Sequence, residues 1–219
     1  MRRRRALSAA IVVAVTVLGL VAFGVSASGG PTLPALPSTP FRSHIVTIAE
    51  SQLGYHTQPS SSYCNKYSAS WGAGTPCSHG LRSEEWCADF AAWVWRRAGA
   101  LFTYAYGTSD INAASGSFYF WAVAHHTWHA ADSGYTPQAG DVAVYGLDAP
   151  AGSADHVAVV TGYEAGARGP DVVNGDGDHT GFSVVEVGTD QYRADTPATV
   201  APLAGYASPI PPPQAATGA

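Results

Sequence analysis

Positive charge is scarce in this chain once its first residues are set aside. Of eleven Lys and Arg, four sit at Arg2 to Arg5, and the net charge is −5. The rest of the chain has no basic face with which to neutralise phosphates, which excludes a nucleic-acid binder. Internal repeats are also missing, so nothing points to an array of modules. A length of 219 residues with 46% hydrophobic content suits one well-buried domain rather than two. Cysteine is rare as well, with only Cys64, Cys77 and Cys87. What these three do depends on the compartment the chain reaches.

The N-terminus reads as a targeting segment over residues 1–27. Arg2 to Arg5 form a charged region, Ala6 to Val25 an apolar one, and Val25-Ser26-Ala27 a small-residue exit for a signal peptidase. The adjacent arginines loosely resemble a twin-arginine export signal. Left uncleaved, the apolar run is just long enough to span a bilayer as a helix, so a membrane association follows only if it is retained. Either route makes the domain secreted or held in the cell envelope. Residues 28–42, with Pro31, Pro34, Pro37 and Pro40 three apart, read as an extended linker. The folded domain is then expected over residues 43–209, followed by a disordered Pro- and Ala-rich tail over 210–219.

Export lets pairs of thiols close and leaves an odd one to be explained. Pairing Cys64 with Cys77 closes a short loop rich in Ser and Gly and leaves Cys87 free. The alternatives are that Cys87 is half of the bridge or an inert buried thiol. Its place at the front of a strongly apolar helix argues for a free, reactive thiol, because helix-terminal N–H groups and the macrodipole favour a thiolate.

That helix is expected from Ser83 or Trp86 to Ala98, with Arg96 and Arg97 in the last turn and Gly99 as its stop. Its middle, Phe90 to Trp95, is apolar all round and marks a helix surrounded by protein. Helical spacing of Ile45, Ile48, Ala49 and Leu53 predicts an earlier helix over Ser43 to Leu53, and a weaker pattern a third over Asp110 to Ala124. After Pro137 come short β-branched runs at 140–145, 156–161, 171–174 and 182–187, with a last strand within 199–207. Helices followed by consecutive strands imply an α+β fold with N-terminal helices packed on a mainly antiparallel sheet.

His156 opens one of these strands and Asn174 ends the next, so a hairpin would make them neighbours. Cysteine hydrolases divide their labour in this way: Cys87 supplies the thiolate, His156 the base and later the acid, and the Asn174 side chain orients the ring. The quoted groups Ala49 to Gly54, Asn65-Lys66-Tyr67 with Trp71, Trp86-Cys87-Ala88-Asp89-Phe90, Gly140-Asp141-Val142, His156 to Val160 and Asn174-Gly175-Asp176 together resemble the CHAP domain. That family of cysteine, histidine-dependent amidohydrolases/peptidases has a papain-like fold and is common among peptidoglycan hydrolases. The resemblance implies Cys87 as nucleophile, His156 as base, and a third residue at the end of the following strand. Many members carry Glu there with Asn two residues on; here Asn174 and Asp176 hold those places, and Asn174 is preferred. Gln52 and Tyr67 are candidates, by residue type alone, for a second oxyanion donor.

Metal and cofactor readings are weaker. His125, His129 and Asp132 lack the Glu of a metalloprotease motif, and the loop from Asn174 departs from an EF-hand at His179 and Val185. The Asp-rich calcium loop of some phage-encoded relatives has no counterpart before Cys87. No metal or cofactor is therefore expected. The expected activity is an exported amidase or endopeptidase on the peptides of bacterial peptidoglycan. The rival is a catalytically silent wall-binding or scaffold domain. The sequence says nothing about oligomeric state.

Overall fold

The computed structural model describes residues 39–60, 62–167, 169–176, 186–188 and 201–213. The targeting segment, the linker through residue 38, His179 to Val185 and the last six residues lie outside these. Two layers make up the described domain: helices α1 (Pro40–Glu50), α2 (Lys66–Trp71), α3 (Cys87–Ala98) and α4 (Ser117–Ala124), and a six-stranded sheet. The sheet runs β4 (Trp128–Ala130), β9 (Leu203–Ala207), β5 (Val142–Tyr145), β6 (His156–Gly162), β7 (Asp171–Asn174), β8 (Glu186–Gly188), every neighbouring pair antiparallel. This is the α+β architecture expected. A small second sheet joins β1 (Cys64–Asn65), β3 (Arg82–Ser83) and β2 (Thr75–Pro76).

Helix α3 is the centre of the core. Ala88, Phe90, Ala91, Ala92, Val94 and Trp95 are all buried, and the helix lies against β6 and β7. Its facing strands contribute Val142, Val144, Val157, Val159 and Val173, while Ala143, Tyr145, Ala158, Val160 and Val172 form a second apolar cluster with Tyr206. Burial on both faces explains why these strands read as near-continuous apolar runs instead of alternating ones. Trp95 ties the layers together by donating its indole N–H to Gly140 O at 2.9 Å.

Three boundaries differ from the sequence reading. Helix α1 starts at Pro40 rather than Ser43, since Thr39 accepts the Arg42 N–H as N-cap and Pro40 occupies a position where no N–H is needed. Helix α3 starts at Cys87, with Trp86 as N-cap. Ser83 is not its cap because it pairs with Cys64 and Thr75 in the small sheet. The third helix is shorter than expected, only Ser117–Ala124, because the chain from Asp110 is held in turns by Asn112 and Ser117. At the other end, Ile210, expected in the tail, packs on the core and its carbonyl accepts the Leu101 N–H at 2.9 Å.

Cys64 and Cys77 form a disulfide with Cα atoms 6.3 Å apart. The bridge fastens the segment between β1 and β2. Cys87 is the free cysteine and is buried.

Candidate active site

Strand register builds the site. Because β6 and β7 are antiparallel with Val159 opposite Val173, the end of β7 lies beside the start of β6. The two polar residues at those ends meet: His156 Nε2 lies 2.8 Å from Asn174 Oδ1, both side chains buried. A carbonyl oxygen only accepts, so Nε2 carries the hydrogen of this bond. In the neutral ring the lone pair is then on Nδ1.

Asp176, the other candidate for the third place, bonds the front of α3. It sits two residues past Asn174 at φ 56°, and its Oδ2 accepts the Trp86 backbone N–H at 3.0 Å. Trp86 has no capping side-chain bond of its own, so a carboxylate from the sheet covers the front of α3. Gly175 between them is packed so closely on α3 that a Cβ there would lie 2.4 Å from Phe90 Cβ.

Cys87 is the first residue of α3, only 7% exposed, and its Sγ lies 3.1 Å from Ser115 Oγ. Burial pushes the thiol up to about 12. Hydrogen bonds from Ser115 and from the backbone at Val157 and Ala88 pull it down, and the Asp176 charge pushes it further up. The bond at Val157, next to His156, sets the sulfur at the start of β6. Burial therefore outweighs the helix front, and the resting sulfur is a thiol rather than the thiolate expected from the dipole alone.

Two acidic residues, half-buried Glu84 and buried Asp89, stand on either side of Cys87 in the sequence. Tyr104 donates its hydroxyl to Asp89 Oδ1. Burial first, and Asp89 second, raise the Glu84 carboxyl to about 8.

Other sequence candidates lie elsewhere. Tyr67 OH donates to Gln52 Oε1 at 3.1 Å, Lys66 Nζ donates to the same oxygen at 2.7 Å, and Gln52 Nε2 donates to Ser51. Neither Gln52 nor Tyr67 thus turns its donor to Cys87, and the Tyr67 ring instead stacks on Trp86. His125 stacks on Trp121 and His129 on Tyr135. Among the described residues, no group of three or more His, Cys, Asp or Glu could hold a metal ion. Ser115 escaped the sequence reading: in the run Asn112-Ala-Ala-Ser-Gly-Ser it looks like an ordinary polar turn before a helix.

A buried Cys at a helix front facing the ends of two antiparallel strands is the layout of a papain-like α+β domain. Residues 79–188, half of the 219-residue chain, match the family model described as CHAP domain. The chain belongs to the CHAP family. The matched span includes Cys87, Ser115, His156, Asn174 and Asp176, whereas α1, both bridged cysteines and β9 fall outside it. No curated protein and no solved structure matches the chain.

Proposed function

We propose that this protein is an exported cysteine amidase or endopeptidase that cleaves amide bonds in peptidoglycan peptides through Cys87, His156 and Asn174. The observation that carries the assignment is the 2.8 Å bond from His156 Nε2 to Asn174 Oδ1 beside the helix front that bears Cys87. Asn174 holds the ring so that Nδ1 exchanges the proton with the thiol. Sγ attacks the amide carbonyl as Nδ1 takes its proton, and the imidazolium then protonates the departing amine. Water, deprotonated by the same nitrogen, hydrolyses the thioester. Backbone N–H groups at the front of α3 are suited to the oxyanion. Family membership supports the substrate class. The targeting segment and the Cys64–Cys77 bridge support export, since such bridges persist in oxidising compartments.

Purified peptidoglycan digested with wild type and with Cys87→Ala, followed by mass analysis of released fragments, tests the assignment. Release by wild type alone is expected; equal release by both would remove Cys87 as nucleophile. The buried, upward-shifted thiol favours a second reading, a wall-binding domain without activity. Absence of any fragment from folded wild type, together with retention on the insoluble wall, would decide for it.

A further inference from the structure

We propose that Ser115 is a further catalytic residue of this site, whose hydroxyl donates a hydrogen bond to the Cys87 thiolate as the thiol proton leaves for His156. The role rests on Cys87 being the nucleophile. Ser115 Oγ lies 3.1 Å from Sγ, and both groups are buried, so water does not compete for the sulfur. With the thiol intact either atom can donate. Once the sulfur is charged it can only accept, and a weak thiol contact becomes a charge-assisted one. No bond to Ser115 forms or breaks: the thiol proton goes to His156 Nδ1 and the serine keeps its own.

The hydroxyl is held in place before the reaction. Asn112 Oδ1 accepts the Ala114 N–H at 2.9 Å, Ser117 Oγ donates to Asn112 O, and the Ser117 N–H bonds Ala114 O. Gly116 then fixes the turn against the loop before β6, where a Cβ would meet Gly152 O at 2.7 Å. The charged group acting on the sulfur from a neighbouring element is Asp176, past the end of β7, while His156 opens β6 next to Val157, whose backbone bonds the sulfur. The Asp176 charge opposes ionisation, and Ser115 acts with the backbone at Val157 and Ala88 to offset it.

Cys87 is the free thiol beside a closed bridge, so iodoacetamide alkylation of the unreduced protein reads it directly. A hydrogen bond to a charged group shifts a thiol by about one to two pH units. The higher nucleophilicity of a more basic thiolate cancels about half of that, so Ser115→Ala should alkylate about 3- to 10-fold more slowly at pH 8. The same variant should lower kcat for fragment release and leave KM unchanged, and Ser115→Thr, which keeps the hydroxyl, should restore both. Gly116→Ala, which displaces the hydroxyl without removing it, should slow alkylation in the same direction. Mere loosening of the site would expose the sulfur and speed alkylation. An unchanged or faster rate in folded Ser115→Ala overturns the proposal, even with wild type active on peptidoglycan. Inactive wild type whose alkylation still slows on Ser115→Ala would instead leave the hydrogen bond standing and remove the catalytic role together with the hydrolase assignment.

Discussion

Substituting Gly175 by Ala tests the junction on which the site depends. The added Cβ would stand 2.4 Å from Phe90 Cβ, 2.6 Å from Cγ and 2.9 Å from Cδ1. Carbon atoms rest at about 3.5–4.0 Å, so the end of β7 must withdraw from α3 by roughly 1 Å, because Phe90 is fully buried and cannot swing away. Overpacking of this kind costs about 1–3 kcal/mol. For a domain of this size, a mid-range loss of about 2 kcal/mol lowers Tm by about 4–8 °C. The functional consequence is larger than the thermal one. A withdrawal of about 1 Å stretches the 2.8 Å Asn174–His156 bond and the 3.0 Å Asp176–Trp86 bond beyond hydrogen-bonding distance. Gly175→Ala should therefore release peptidoglycan fragments at about the rate of Asn174→Ala while remaining folded at 25 °C. Calorimetry and fragment release on the same preparations measure both effects. A variant with wild-type Tm and wild-type rate would mean that the end of β7 does not rest on Phe90.

Other perturbations follow from the same contacts. Asp176→Asn keeps an acceptor for the Trp86 N–H but removes the charge that pushes the Cys87 thiol upward, so alkylation at pH 8 should speed up while Tm falls slightly with the charge lost from the helix front; slower alkylation would contradict the electrostatic assignment. Glu84 is an acid raised to about 8, so its contribution to stability is full below the ordinary carboxylate range and is lost as pH rises through about 8. Tm should accordingly fall between pH 5 and 9, and Glu84→Gln should flatten that slope; parallel slopes would refute the raised Glu84 carboxyl. Replacing Cys64 and Cys77 together by Ala opens a loop of 13 residues' separation and should cost about 3 kcal/mol in the chain-entropy account, while Cys87 still alkylates. Loss of Cys87 labelling in that variant would tie the bridge to the site instead.

The core helix and the strands were legible because their signals are local. Phe90 to Trp95 is apolar all round, Gly99 stops the helix in the left-handed conformation, and β5, β6 and β7 are short β-branched runs between Gly and Asp. The start of the helix was ambiguous for a tertiary reason. Ser83-Glu84-Glu85 looks like a cap with an acidic first turn, but Ser83 is taken up by pairing with β1 and β2. Asn174 and Asp176 could not be separated from sequence either, since both follow the same strand. Register and one left-handed residue direct Asn174 to His156 and Asp176 to Trp86. Ser115 had no signal at all, because its meeting with Cys87 spans 28 residues and arises only when α4 packs beside the sheet.

The helix front turns out to serve two anions, and this changes how the nucleophile is set. Dipole reasoning assigns the positive end of α3 to the sulfur, yet the Asp176 carboxylate already occupies it through the Trp86 N–H. A fixed negative charge there stabilises the helix and disfavours a second one on Cys87. With burial acting in the same direction, the Cys87 sulfur is held as a thiol at rest. In the proposed mechanism such a site ionises Cys87 only as the carbonyl is attacked, which places the demand on groups that respond at that moment. The Asn174-held ring and the Ser115 hydroxyl are both of that kind. Under the proposed export the same arrangement has a protective consequence. Oxidants react with thiolates, so a sulfur kept buried and protonated between turnovers survives in a compartment where Cys64 and Cys77 are driven to close.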